Sequence, residues 1–313
     1  MAVQRMIVFV TGATGFVGRA IVNEMARQGH VARCLVRHPE AASAQWLRSI
    51  GNAELIKGDL LQERDLAPSV AGCDGVIHLV GIIAEAGRNT FERVHVEATR
   101  RIVYAAVTAG VRRYIHMSAM GTRPNAPSAY HRTKWAAEEI VRSSGLDWTI
   151  FRPSLIHGPG DQFVNRFAQM SAWAPFMPVI GPGTYKLQPV SVQTVAHCFV
   201  AALSNPRAIG HVYDLCGDEQ LTFVQVLDAI LAAAGRRRPK LHLPVKLAMT
   251  MASAMEFVWP RLFNRAPPLA RDQILMLQED NVGDPRPARE TFGLGPEDFT
   301  TAIKKYIQRT GNT

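Results

Sequence analysis

Cysteine is scarce: Cys34, Cys73, Cys198 and Cys216 are the only four in 313 residues, and no two form a Cys-x-x-Cys pair. That spacing excludes a disulfide framework and a thiolate zinc centre, predicts no metal, and points to a reducing compartment. Long hydrophobic runs are also missing, since no segment supplies the roughly 20 apolar residues that a bilayer-spanning helix needs. The first hydrophobic segment begins within about six residues of Met1, so neither a signal peptide nor a transit sequence is expected there. Acidic residues are in deficit, with 26 Asp and Glu against 35 Lys and Arg, leaving a net charge of +9. The surplus favours an anionic cofactor, an anionic lipid surface or an acidic partner. Nucleic acid is not expected: the basic residues are scattered or locally paired, as in Arg112-Arg113, with no aromatic-interleaved motif beside them.

Glycine, by contrast, is placed in a pattern. From Val8 to Val22 a hydrophobic strand runs into a turn with Gly12, Gly15 and Gly18 three residues apart, and a helix follows. Gly12 permits a tight turn, Gly15 lets a pyrophosphate approach the backbone, and Gly18 lets the helix pack closely on the sheet. Thr14, Phe16 and Val17 complete the loop and the first helical turn, whose free N–H groups face the same anion. A βα turn that binds nothing is the alternative, and the strand before and helix after favour a dinucleotide.

Strands then alternate with helices. Val31 to Val36, Ala53 to Leu60, Gly75 to Gly81, Arg113 to Met117 and Asp147 to Ile156 read as strands two to six. Helices are expected at 17–28, 41–49, 90–110 and from Ser128 onward. The pattern predicts an α/β fold, a Rossmann-type doubly wound parallel sheet with a smaller C-terminal lobe. Residues 1–160 make the nucleotide-binding core and 161–313 the smaller lobe, with 190–216 returning to the core. After the second strand an acidic residue would accept from a ribose 2′-hydroxyl, whereas an Arg suits a 2′-phosphate. The residues there are Arg37-His38-Pro39, which favours NADP(H) over NAD(H), with a solvated surface arginine as the alternative. Asp59, in Gly58-Asp59-Leu60, either accepts from an adenine amino group or caps the next helix. Val80 and Gly81 at the exit of the fourth strand belong to the same cofactor edge.

Tyr130 and Lys134 fall one turn apart on one helix face. An ammonium beside a phenol favours the phenolate, so Tyr130 is expected to titrate below its usual range and act as acid or base, while Lys134 holds ribose hydroxyls. Pro153 ends the sixth strand, and Leu155 and Ile156 are placed to cover one face of a nicotinamide. Between Pro244 and Pro260, Lys246, Thr250, Ser253 and Glu256 form a narrow polar stripe on an otherwise apolar helix. It packs in the lobe, docks a partner protein or lies in a bilayer interface, and its single Lys and Glu tilt the reading towards protein. A last helix is expected from Ala288 to Thr310.

Taken together, Thr11-Gly-Ala-Thr-Gly-Phe-Val-Gly18, Gly58-Asp-Leu60, His78-Leu-Val-Gly81, Tyr130-x-x-x-Lys134 and Arg152-Pro-Ser154 resemble the extended short-chain dehydrogenase/reductase superfamily. Val36-Arg37, Tyr130-His-Arg-Thr-Lys134 and the run from Pro267 to Asn281 look like its atypical branch named after alpha-subcomplex subunit 9 of respiratory complex I. The resemblance implies a bound NAD(P), Tyr130 and Lys134 as the catalytic pair with Ser118 beside them, and respiratory complex I subunits as partners. It places the chain in the cytoplasm, peripheral at the cytoplasmic face of the inner membrane. Two positions depart from the family pattern. Ala119 and Met120 stand where a catalytic hydroxyl is expected, and His95 stands where an asparagine is expected. The leading expectation is an accessory or assembly protein with a structural nucleotide; the rivals are an active oxidoreductase or nucleotide-sugar epimerase, and a nucleotide-sensing regulator.

Overall fold

A computed structural model describes residues 5–263 and 266–307. In chain order the first half runs β1 Ile7–Thr11, α1 Phe16–Arg27, β2 Val31–Val36, α2 Ala42–Ser49, β3 Ala53–Lys57, α3 Ala67–Val70, β4 Gly75–His78, α4 Ala98–Thr108, β5 Arg113–Met117, α5 Ala129–Arg142 and β6 Asp147–Pro153. The second half runs β7 Ile156–His157, α6 Val164–Trp173, β8 Met177–Ile180, β9 Lys186–Leu187, β10 Val190–Ser191, α7 Val192–Ser204, β11 His211–Leu215, β12 Leu221–Thr222 and α8 Phe223–Ala233. It closes with β13 Lys240–Leu243, α9 Val245–Phe263, α10 Arg271–Met276, α11 Arg286–Phe292 and α12 Phe299–Ile307.

Seven strands form one parallel sheet in the order β11-β6-β5-β4-β1-β2-β3. Its central strands β1 and β4 are nearly continuous apolar runs because helices cover both faces. Val8 and Val10 of β1 face a core shared with Ile21 and Met25 of α1, Phe199 of α7 and Phe292 of α11. Phe9, one residue out of phase, faces Ile102 of α4 and Val141 of α5. The period-two alternation thus sorts one strand's side chains into two cores. Helices α6, α8 and α12 enclose a third core around Phe223, Ile230 and Phe299, beside the two-stranded pairs β12-β9 and β13-β8.

Several expected elements change, beginning with β3, which stops at Lys57, short of Leu60. The strand starting at Gly75 stops at His78, and the helix expected over 90–110 opens with a π-helical turn, Glu92–Glu97, before α4. The final helix is split into α11 and α12, because Gly293 takes φ +65° and Gly295-Pro296 follows. Its expected end, 308–310, lies outside the described residues. The Pro244–Pro260 segment forms α9, but packing in the lobe does not account for it. Among the described side chains of α9 only Ala248 and Ala252 are buried, against Ile274 of α10, while Leu247, Met251, Phe257, Val258, Leu262 and Phe263 are exposed. Among the described residues no helix is long and apolar enough to cross a membrane.

Candidate functional site

At the C-terminal edge of the sheet β1 leads on to β2 while its other neighbour, β4, leads away to β5, and open α/β sheets bind ligands in the crevice so formed. The glycine turn stands at that crevice. Gly12 has φ +80°, and a Cβ there would lie 3.2 Å from the Leu79 carbonyl carbon. At Gly18 a Cβ would come within 2.2 Å of the Gly12 carbonyl oxygen, so the turn and α1 touch with no space for a side chain. Gly15 is exposed immediately before α1, and its N–H donates to the Gly12 carbonyl at 3.0 Å. Among the described residues no side chain caps α1, and its first turn carries no acidic residue. Those amides and the positive end of the helix are therefore left to an anion. Thr14, Phe16 and Val17 are half-buried around it. This cradle fits the pyrophosphate of a dinucleotide.

The adenosine end is more open. Arg37 follows β2 directly, is exposed, and has no carboxylate partner among the described residues. Asp59 caps its own turn: one carboxylate oxygen accepts from the Leu61 N–H at 2.9 Å and the other from the Gln62 side chain at 3.0 Å. Leu60 is buried beside it in the core below.

Lys134 is the best-defined group of the site. It is buried, and its ammonium donates to the Met117 carbonyl at 3.0 Å. Burial lowers its pKa to about 8, with Glu138 opposing. Gly81 lies directly above it, since a Cβ there would approach Lys134 Nζ to 3.1 Å and His95 Nε2 to 3.6 Å. Tyr130 shares the helix face, but the expected lowering of its phenol is reversed: burial pushes its pKa up to about 12. The physical reason is that Lys134 bonds Met117 and not Tyr130, whose ring packs edge-on against Phe91, His95 and His131. Desolvation of the phenolate then outweighs the ammonium.

His95 holds the place of the expected asparagine and has a defined role. His95 Nδ1 lies 2.9 Å from the Thr133 hydroxyl, which is itself 2.8 Å from the Ala129 carbonyl and 3.0 Å from that of Tyr130. Its Nε2 lies 3.2 Å from the Ile82 N–H and 3.1 Å from the Ile82 carbonyl oxygen, so in either tautomer His95 braces the exit of β4 against α5. Burial, with Lys134 adding, keeps the imidazole neutral. The network continues inward: the Thr99 hydroxyl donates to the His95 carbonyl at 2.6 Å and stands 3.3 Å from His78 Nε2, and Thr11 lies 2.7 Å from His78 Nδ1. A chain of hydrogen bonds thus runs from the end of β1 to the helix of Tyr130.

Ser118 is buried, and its hydroxyl donates to Thr122 at 3.4 Å. Pro153 ends β6 and its carbonyl takes the Met120 N–H at 3.0 Å. Leu155 and Ile156 are half-buried at the following bend, where the Val190 N–H bonds the Leu155 carbonyl at 2.9 Å.

Sequence reading missed Thr122, Thr133 and above all Asp272. Its carboxylate accepts the Ala129 and Tyr130 N–H groups at 2.8 Å each, while Ser128 takes the His131 N–H. The start of α5 is therefore fully satisfied where that of α1 is left open. Only the placement of Asp272 inside the Pro267–Asn281 run hinted at it. Among the described residues no group of His, Cys, Asp and Glu has the arrangement of a metal centre.

Comparison with known proteins accords with this geometry. A family model described as NAD(P)H-binding matches residues 12–206. The chain is 32% identical over 287 residues to the mitochondrial NADH dehydrogenase (ubiquinone) 1 alpha subcomplex subunit 9 of Arabidopsis thaliana, covering 90% of this chain and 70% of that protein. It is 31% identical over 261 residues to the ceramide reductase of Caulobacter vibrioides, covering 83% and 80%. Its fold matches the crystal structure of UDP-glucuronic acid 4-epimerase from Bacillus cereus, with TM-score 0.73 over 97% of this chain and 100% of that one, at 19% identity. The chain belongs to the NAD(P)H-binding family, within the atypical short-chain dehydrogenase/reductases that include the alpha subcomplex subunit 9 proteins.

Proposed function

We propose that the chain holds NADP(H) as a structural group and serves as an accessory or assembly component of respiratory complex I or of quinone metabolism. The observation that carries this reading is the contrast between an open cradle and a closed chemical centre. The α1 amides carry no side-chain cap beside three close-packed glycines, whereas Ala119 and Met120 stand where a catalytic hydroxyl is expected and Tyr130 is packed among Phe91, His95 and His131. Gly12, Thr14, Gly15, Phe16, Val17 and Gly18 hold the pyrophosphate. Arg37 meets the 2′-phosphate, Asp59 and Leu60 the adenine, and Val80 and Gly81 the backbone edge between. Lys134 takes the ribose hydroxyls, and Pro153, Leu155 and Ile156 flank the nicotinamide. Residues 1–160 form the nucleotide-holding core, with 190–216 added, and the remaining lobe meets partners. The exposed face of α9, within 244–260, is the contact for complex I subunits or for the cytoplasmic surface of the inner membrane. Native mass spectrometry of gently purified protein tests the reading: NADP(H) and respiratory subunits are expected to travel with it, and a bare chain without dinucleotide affinity removes its basis.

A second reading, a ketone reductase, is favoured by the Tyr130 and Lys134 pair and by the likeness to a ceramide reductase. A bound nicotinamide supplies hydride in such chemistry, Tyr130 the proton, and Ser118 a neighbouring hydroxyl. Substrate-dependent loss of reduced-nicotinamide absorbance that disappears in Tyr130→Phe selects it over the first.

A further inference from the structure

Asp272 does more than complete a helix. It belongs to α10, which is joined to α9 by a polar pair beside a small apolar contact: the Glu256 carboxylate accepts both the N–H of Arg271 at 2.8 Å and its Nε–H at 2.6 Å. Apolar packing between the two helices is thin, with Ala248, Ala252 and Ile274 as its buried centre. A cavity of about 490 Å³ separates α9 from the start of α5 and is lined in part by Phe91, Ala129, Met249, Asp272 and Leu275. The Glu256–Arg271 and Asp272–α5 hydrogen bonds therefore connect α9 to α5 by way of α10, around the space that keeps α9 and α5 apart. Arg271 and Asp272 are adjacent, so the contact to Glu256 and the contacts to the Ala129 and Tyr130 amides lie one residue apart on α10. The same helix carries Lys134 beneath Gly81, at the cofactor edge.

We propose that Asp272 is a positioning residue through which α9 is coupled to the nucleotide site. The path runs Glu256, Arg271, Asp272 and then the first turn of α5. Docking on the exposed face of α9 changes the hold on α5, and through Lys134 it changes nucleotide affinity. Linkage makes the effect reciprocal, so nucleotide that orders α5 also steadies α9 and α10. This inference rests on the nucleotide-holding reading for both directions of the linkage, and only the coupling of Glu256 to the α5 amides is independent of it.

Amide hydrogen exchange on the full chain, with and without NADPH, tests it. NADPH is expected to slow exchange across 245–276 several-fold. Without nucleotide, Asp272→Ala is expected to speed the Ala129 and Tyr130 amides about five- to tenfold, the scale of a lost helix cap. Asp272→Asn, which keeps one acceptor oxygen, gives a smaller effect, and Glu256→Gln a smaller one still at the same two amides. In Asp272→Ala, NADPH still protects the glycine turn but no longer protects α9. A role confined to stability would lower the melting temperature yet leave α9 protection by NADPH intact, and that result overturns the proposal. If NADPH protects nothing anywhere, the nucleotide-holding reading fails instead. The coupling is then decided by Glu256→Gln alone: unchanged Ala129 and Tyr130 exchange overturns it.

Discussion

Lys134 donates to the Met117 carbonyl in a buried position, and burial lowers its pKa from 10.5 to about 8. The native state therefore binds fewer protons than the unfolded chain between those two values, so stability must rise with pH across that window. The cost of the buried ammonium is complete below the native pKa and is gone above the unfolded one, amounting to about 3 kcal/mol. Urea unfolding at pH 7.5 and pH 10 checks this: the wild-type rise attributable to the lysine should vanish in Lys134→Met. Gly18 makes a steric prediction. Its Cβ position overlaps the Gly12 carbonyl oxygen at 2.2 Å, so Gly18→Ala must separate α1 from the turn. A loss of about 2–3 kcal/mol in stability is expected, with nucleotide binding weakened well beyond that of a distant surface substitution. At Arg37 the effect is on selectivity. Arg37→Asp should weaken NADPH at least tenfold, leave NADH unchanged or improved, and not move the melting temperature, since the side chain is exposed.

Among the elements, those with a complete local signal were legible. β2, β5 and α5 fall where the apolar period, the bounding glycines and the Ser128 cap place them. The break between α11 and α12 was also written locally, in Gly293 and Gly295-Pro296, and the apolar period of 288–310 concealed it. Other features had no local signal at all. Asp272 reaches the Tyr130 amide across 142 residues, and the partners of His95 come from β4's exit loop and α5. The phenol shift at Tyr130 reversed because i,i+4 spacing reports proximity and not the competing carbonyl of Met117. α9 inverts the usual arrangement, with alanines inward and large apolar residues outward. Leu247→Lys with Met251→Lys should therefore change stability by less than about 0.5 kcal/mol while abolishing partner or membrane association, read by co-purification and by vesicle sedimentation.

For the molecule as a whole, the interior holds His78, His95 and His116 beside Lys134, and burial drives each imidazole far below its usual pKa. Because the unfolded chain takes up protons near pH 6.5 and the native chain does not, stability falls as pH drops through that value. At pH 5 the loss is about 2 kcal/mol for each such histidine. Denaturant midpoints at pH 7 and pH 5 should differ sharply, and His116→Phe should reduce the difference. This polar interior sits under a cradle that is open to an anion and beside a tyrosine packed among Phe91, His95 and His131, which is the basis for separating holding a nucleotide from using it. Calorimetric titration of the purified chain with NADPH, followed by release and identification of the bound nucleotide, tests that claim most directly. One saturable site is predicted, tighter for NADPH than for NADH, abolished in Gly15→Asp, with the nucleotide recovered unoxidised. Absence of saturable binding, or steady NADPH consumption on incubation, would contradict it.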